Sequence, residues 1–448
     1  MAADTLQVET SYRQIVKLAL PISFAMLIPQ FNFIVTNIFL GHFTQQSLAI
    51  AGITGVYYLI FAMIGFGLNN GLQALIARRA GENRPDEIGK IFSQGVYIAI
   101  GIAVIGVALT WLLAPVILDR VIHETGVAAI ATKFLKIRIW GLFFLYIYQM
   151  RNALLVGTNQ SRYLVFGTFA EAVANIIFDY SFIFGHFGLP RLGLDGAAVA
   201  SIIAEFTGMF VIFLVIWRNG ISSRFGLFSH FGWNATIVRQ ILSISTPLIF
   251  QLAASLISWE FFYILVEHHG QQALAISNVM RNIFGILGCI TWAFAATTAA
   301  MVSNIIGQGK QDKVQPLIGK IMRISTSAAI IVCIVINLIP ATLLSAFGQD
   351  QSFIDHAIPV VRVLTVAMVL MSFSTIWLNA VTGTGNSRIT LGIEAITIVL
   401  YSIYIYVVLE KFFLPITFGW MSEWLYWISL FSLSFVYIKG GRWKAKVI

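Results

Sequence analysis

Charge is what this sequence has least of. Asp, Glu, Lys and Arg together make up 10% of its 448 residues, where soluble domains carry about 25%. The shortage excludes an ordinary soluble domain. With 58% hydrophobic residues and a mean hydropathy of +0.85, the chain reads as an integral membrane protein. Cysteine is nearly absent too. Cys289 and Cys333 both lie in apolar runs, so neither a disulfide framework nor a cysteine-ligated metal is expected. The sequence has no phosphate-binding loop and none of the usual nucleophile–base spacings. Enzymatic chemistry, an ATP-driven motor and a cofactor are therefore not expected. The seven histidines, His42, His123, His186, His230, His268, His269 and His356, fall in loops or at helix ends. The His268-His269 pair lacks the further ligands of a metal site.

What is present is long apolar runs. A spanning helix needs about 20 mostly apolar residues. Twelve candidates follow, at roughly 14–40, 51–77, 91–118, 130–156, 163–184, 195–217, 239–266, 274–306, 316–346, 355–382, 388–409 and 420–438. Asp4 and Glu9 precede the first run and no small-residue cleavage site follows it, so it reads as a retained helix, not a signal peptide. No sizeable soluble domain is expected. Of the 28 basic residues, nineteen fall on one side of this topology: Arg13 and Lys17, the Arg78–Lys90 and Arg218–Arg239 groups, Arg162, Lys310–Arg323, Arg388 and the Lys439–Lys446 tail. Seven, including Arg138 and Arg191, fall on the other. The positive-inside rule then puts both termini in the cytoplasm of a cell that inserts the chain in its inner membrane. It also explains the +9 net charge without a nucleic-acid partner.

The chain is an internal repeat at a constant offset of 226 residues. Pro21 matches Pro247. Gln45-Gln46-Ser47-Leu48-Ala49-Ile50 matches Gln271-Gln272-Ala273-Leu274-Ala275-Ile276. Gly81 matches Gly307, and Gly157-Thr158-Asn159-Gln160-Ser161-Arg162 matches Gly383-Thr384-Gly385-Asn386-Ser387-Arg388. Polar residues, Gly and Pro take part, so apolar composition alone does not produce the match. The expected fold is all-α: twelve transmembrane helices in two six-helix lobes, residues 13–217 and 239–440, joined by a cytoplasmic linker at 218–238. An even number of spans per copy makes the repeats parallel, the arrangement of rocking transporters.

Few ionisable residues remain inside the spans, and intramembrane charges mark pathways or pairs. Glu260 and Arg281 straddle the Glu267–Gln272 turn symmetrically, each roughly 10 Å into its helix. They are expected to form a charged site of the second lobe or a static, lobe-fixing pair. Arg151 and Glu171 flank the Gly157–Arg162 turn and read as an inner-leaflet pair, or as an Arg whose stem reaches the surface. Asn175 and Asp179 stand at i and i+4 on one helix face. An acid beside a carboxamide and out of water can hold a proton or a cation. Glu205 lies mid-way along its helix, lining the same cavity or bonding to a neighbour. Glu394 reads as structural. Which aromatics line a cavity for aromatic cations is not legible.

These residues resemble a known family. Leu18-Ala-Leu-Pro21 ahead of Thr36-Asn-Ile-Phe-Leu-Gly41 is similar to the first helix of multidrug and toxic compound extrusion (MATE) transporters. So is the stretch from Gly67 to Gly81. Gly157–Arg162, then Asn175–Gly185, then Gly188-Leu-Pro190 and Gly193–Ala200 carry the most specific likeness. The resemblance covers essentially the whole chain. It implies a V-shaped pair of six-helix lobes that export organic cations in exchange for sodium or protons. By this resemblance Asn175 and Asp179 match the cation-coupling pair of the first lobe. The acid that the family places before Ile-Phe-x-Gly is replaced here by Thr36 and Asn37, which would complete the polar site. In the helix that opens at Pro247, the family's Glu is Ser255. Glu260 resembles a second Glu of longer patterns, and the tenth span has no central acid.

The expectation is thus a monomeric antiporter of amphipathic organic cations, with the bilayer as its other partner and H+ or Na+ as coupling ion. Two alternatives stay open. One is a lipid or polysaccharide-precursor flippase of the same superfamily, disfavoured because only Arg151 and Arg281 are basic within spans. The other is a non-transporting receptor or scaffold, disfavoured by the lack of an output domain. The orientation is open to a direct check. In a chain without Cys289 and Cys333, a single cysteine at Leu192 should react with an impermeant maleimide added outside cells. One at Ser223 should react only after permeabilisation, and the reverse result would invert the topology.

Overall fold

The structure is a computed structural model and describes residues 6–122, 126–227, 229, 231–345, 347 and 350–445. His123, His230 and Lys446 lie outside the described residues. The described residues contain no strand. The helices are α1 (Tyr12–Phe43), α2 (Gln45–Gly81), α3 (Pro85–Val121), α4 (Val127–Arg138), α5 (Leu142–Gly157), α6 (Leu164–Phe184), α7 (Leu194–Arg218), α8 (Ile221–Phe225), α9 (Ala235–Glu267), α10 (Gln271–Gly307), α11 (Val314–Leu338), α12 (Pro340–Ser345), α13 (Gln351–Gly383), α14 (Ser387–Ile405), α15 (Ile416–Trp420) and α16 (Ser422–Lys439).

Nine of these helices, among the described residues, are long and apolar enough to cross a membrane. The other expected spans differ for identifiable reasons. The run at 130–156 is α4 and α5, interrupted by a 3-10 turn at Ile139–Gly141. Thr168, Glu171, Asn175 and Asp179 lower the hydropathy of α6. The last, α16, carries Glu423, Lys439 and four serines in 18 residues, which lower its hydropathy. The run at 316–346, whose α11 is one of the nine, ends early and gives way to α12 at Pro340, because proline offers no N–H to continue a helix.

The chain forms two compact units. One comprises Leu6 and Phe24–Ile249; the other comprises Gln7–Ser23 and Phe250–Ile448. The boundaries therefore fall inside α1 and α9, not in a loop. In the first unit α6 packs along α7, and α2 and α3 along α5. In the second unit α13 is the hub, touching α10, α11, α14 and α16. Its buried face includes Val360, Leu364, Ala367 and Met371.

The repeat is visible in backbone detail. α2 and α10 start at the equivalent Gln45 and Gln271 and end at the equivalent Gly81 and Gly307. The residues that follow, Glu82 and Gln308, both have φ −72° and ψ −4°. Next come Asn83 at φ 56° and Gly309 at φ 75°. The turns after α5 and α13 repeat this, with Asn159 at φ 65° and Gly385 at φ 84°. Left-handed backbone suits Gly, or Asn among residues with a side chain, so the sequence puts Asn in one copy and Gly in the other. Gly385→Val should cost about 1–2 kcal/mol through this strain, while Gly385→Asn should be nearly silent. The thermal midpoints of the purified variants check the ordering.

Candidate functional site

In the first unit, α1 and α6 place Thr36 against the Asn175–Asp179 face. Asp179 is fully buried and Asn175 nearly so, at 0% and 7% exposed. Thr36 Oγ1 lies 2.6 Å from Asp179 Oδ2 and 3.3 Å from Asn175 Oδ1. A hydroxyl has one hydrogen, so the shorter contact takes it. Turning the Asn175 carboxamide over lets its NH2 donate to Thr36 Oγ1 instead. Asp179 Oδ1 has no hydrogen-bond partner among the described residues. Asn37, one position along α1, is half-buried and no hydrogen bond draws it into this group. Aromatic rings crowd this end of α1 and α6. Phe39 packs on Tyr180 and Phe184, and Tyr180 stacks on His186 with ring centroids 4.4 Å apart.

Glu205 on α7 has different company. Arg138, the last residue of α4, grips it with two hydrogen bonds of 3.0 and 2.6 Å. Tyr58 donates to Glu205 Oε1 at 3.0 Å, and its ring lies 3.9 Å beneath the Arg138 guanidinium. A fork-to-carboxylate pair of this kind is strong and directional. A Cβ at Gly141 would run into both the Glu205 carboxylate and the Arg138 guanidinium, so glycine leaves the space they occupy. Arg138, assigned to a loop from sequence, is thus largely buried, with 15% of its side chain exposed. The structure does not join Glu205 to Asp179. Glu205 is neutralised by Arg138, whereas Asp179 touches only neutral groups.

Two pairs expected from sequence are not formed. The Nη1 of Arg151 donates to the Met209 carbonyl, and its guanidinium lies 5.3 Å from the Phe213 ring. Both partners are on α7, so Arg151 does not pair with Glu171. Glu171 is half-buried on the same face of α6 as Asn175 and Asp179. Arg281 does not pair with Glu260 either. Its guanidinium sits 5.2 Å over the Tyr263 ring, and Arg281 is exposed while its neighbours Met280 and Ile283 are buried. Symmetry about a turn sets the depth of two residues but not their azimuth around the helices.

Ser255 does reach an acid, and that acid is Glu394. Its hydroxyl donates to Glu394 Oε1, as does Tyr426 from α16, and Gln251 Nε2 reaches Oε2 at 3.4 Å. Glu394 is 1% exposed. Glu423, unremarked in the sequence, is also buried. The available signal was spacing: Thr390, Glu394, Thr397 and Tyr401 form one polar stripe at helical period on an otherwise apolar α14. In the turn before α10, His268 contacts Glu410 at 2.8 Å and His269 stacks on Phe413. Among the described residues no group of three metal-ligating side chains occurs.

The first-unit ion pair generates a stability prediction. Arg138→Met leaves Glu205 buried and unpaired, at a cost of about 3–5 kcal/mol. Arg138→Met with Glu205→Leu should recover most of that loss in thermal unfolding of the purified protein. A double variant no more stable than the single one would contradict the pairing.

Comparison with known proteins follows the same geometry. The MatE family model matches residues 21–181 and again 247–407, the same offset as the repeat. The chain is 23% identical over 441 residues to the probable multidrug resistance protein NorM of Thermotoga maritima, covering 97% of this chain and 94% of that one. It is 27% identical over 309 residues to the NorM protein of a Synechocystis strain, covering 66% and 64%. Its fold is similar to that of a MOP superfamily transporter from Pyrococcus furiosus, with a TM-score of 0.87 at 17% identity over 98% of this chain and 96% of the other. A Vibrio cholerae MATE transporter gives a TM-score of 0.87 at 17% identity over 97% and 98%. With one family model matched twice along most of its length, the chain belongs to the MatE family of membrane transporters.

Proposed function

We propose that this chain is a secondary active multidrug efflux antiporter, exporting amphipathic organic cations in exchange for protons or sodium ions. Asp179 is its coupling acid in the first lobe, with Asn175 and Thr36 as partners. The supporting observation is the state of Asp179: a fully buried carboxyl, one neutral hydroxyl donor and one oxygen without a partner. A carboxylate left so poorly compensated away from water is costly unless a proton or a cation joins it. The probable multidrug resistance names of its relatives support the choice of substrate class. The chain works as a monomer in the inner membrane with both termini cytoplasmic, and lobes 13–217 and 239–440 alternate about the 218–238 linker. Glu205, held by Arg138, has a structural role in this reading.

Efflux of a fluorescent organic cation from proteoliposomes tests it, under an imposed pH gradient and separately under a sodium gradient. The wild-type chain should respond to at least one gradient. Asp179→Asn should abolish the response, and Thr36→Val should weaken it while leaving the fold intact. Unchanged gradient-driven efflux by Asp179→Asn would remove the acid from the mechanism.

A further inference from the structure

The second unit holds two carboxyls that no basic side chain balances. Glu394 on α14 is 1% exposed, and Glu423 at the head of α16 is 7% exposed. Among the described residues neither belongs to an ion pair, in contrast to Glu205. Every hydrogen-bond partner is neutral. Ser255 and Tyr426 donate hydroxyl hydrogens to Glu394, joined by the Gln251 carboxamide. Trp427 Nε1 donates to Glu423 Oε2 at 2.9 Å.

The hydroxyls around these acids are themselves unsatisfied. Thr397 Oγ1, one turn along α14 from Glu394, has no hydrogen-bond partner. The Tyr401 hydroxyl one turn further on and Ser422 Oγ beside Glu423 have no partner beyond each other. All three residues are buried, at 0%, 3% and 0% exposed. The Tyr401 ring packs 5.8 Å from that of Tyr426, and its hydroxyl lies close to Ser422 and Glu423. A run of oxygens therefore leads from Glu394 past Tyr426 and Tyr401 to Glu423. Beyond it, Tyr263 on α9 carries the exposed Arg281 guanidinium on its ring and has Glu260 nearby. Among the described residues neither Arg281 nor Glu260 forms an ion pair with either acid.

An ionised carboxylate inside an apolar bundle costs several kcal/mol unless it is paired. Neutral donors offset part of that cost and leave the charge. The same scaffold in the first unit carries Thr168 at the repeat position of Glu394, so helix packing does not demand an acid there. We propose that Glu394 and Glu423, with Tyr426, Thr397, Tyr401 and Ser422, form a second small-cation site, occupied by a proton on a carboxyl or by a sodium ion among the oxygens. Only its use in transport rests on the antiport reading; its occupancy does not.

Infrared difference spectra of the purified full-length protein test the site, between acid and alkaline buffer, in choline chloride and in sodium chloride. For a proton, a protonated-carboxyl band should appear in choline chloride and diminish in both Glu394→Gln and Glu423→Gln. For sodium, sodium chloride should suppress that band and raise the wild-type thermal midpoint, and Glu394→Gln should lose the rise. Spectra and sodium response identical in the wild type and both variants would overturn the proposal. Tyr426→Phe and Thr397→Val keep both carboxyls and guard against misfolding of the Gln variants: a displaced titration or sodium midpoint supports the site, and an unmoved one overturns it. Wild-type vesicles that show no efflux while the carboxyl titration persists would remove the transport reading and leave this site in place.

Discussion

A carboxyl group inside hydrocarbon has to be neutralised, and this chain meets the requirement in different ways. Glu205 is neutralised permanently by the Arg138 fork, with Tyr58 beneath it. Asp179 receives one hydroxyl hydrogen from Thr36 and keeps a bare oxygen. Glu394 is surrounded by hydroxyl and carboxamide donors with no positive charge among them. The first solution costs stability if either partner is lost. The other two leave the carboxyl with neutral donors alone and no basic side chain to balance it. Polar residues are too costly in a membrane to be placed without such consequences.

The duplicated scaffold and its acids obey different rules. Helix ends, turn dihedrals and even the left-handed residues recur at the repeat offset, as Asn83 with Gly309 and Asn159 with Gly385 show. Backbone geometry at a turn admits few residues, so it is kept in both copies. The acids do not recur. Asp179 has Ile405 as its counterpart, Asn175 has Tyr401, and Glu394 has Thr168. Each half builds its buried acid on the equivalent helix pair, α6 against α1 in the first unit and α14 against α9 in the second, but at a different height along it and with α16 added in the second. The two halves therefore have the same framework and non-equivalent chemistry.

Part of the candidate site was legible because it is local. Asn175 and Asp179 stand one helical turn apart, and helical period alone puts them on one face. The Thr36 contact was legible only through a family motif, since nothing in spacing links residues 143 positions apart. The expected Glu260–Arg281 pair failed because the argument measured depth along two helices and ignored rotation about them. Arg281 points away from the buried face marked by Met280 and Ile283. Arg151 similarly finds the Met209 carbonyl and the Phe213 ring on α7, partners that hairpin symmetry does not suggest.

Composition, run length and the repeat were enough to establish an all-α membrane protein built from two copies of one unit. These properties follow from the cost of exposing backbone and charge to lipid, which acts on every residue of a span. Which acids are paired, which are bare, and that Arg138 is buried while Arg281 is exposed were decided only by tertiary structure. A long side chain can choose among several neighbouring helices. That choice depends on azimuth and on small gaps such as the one at Gly141, which one-dimensional spacing does not encode.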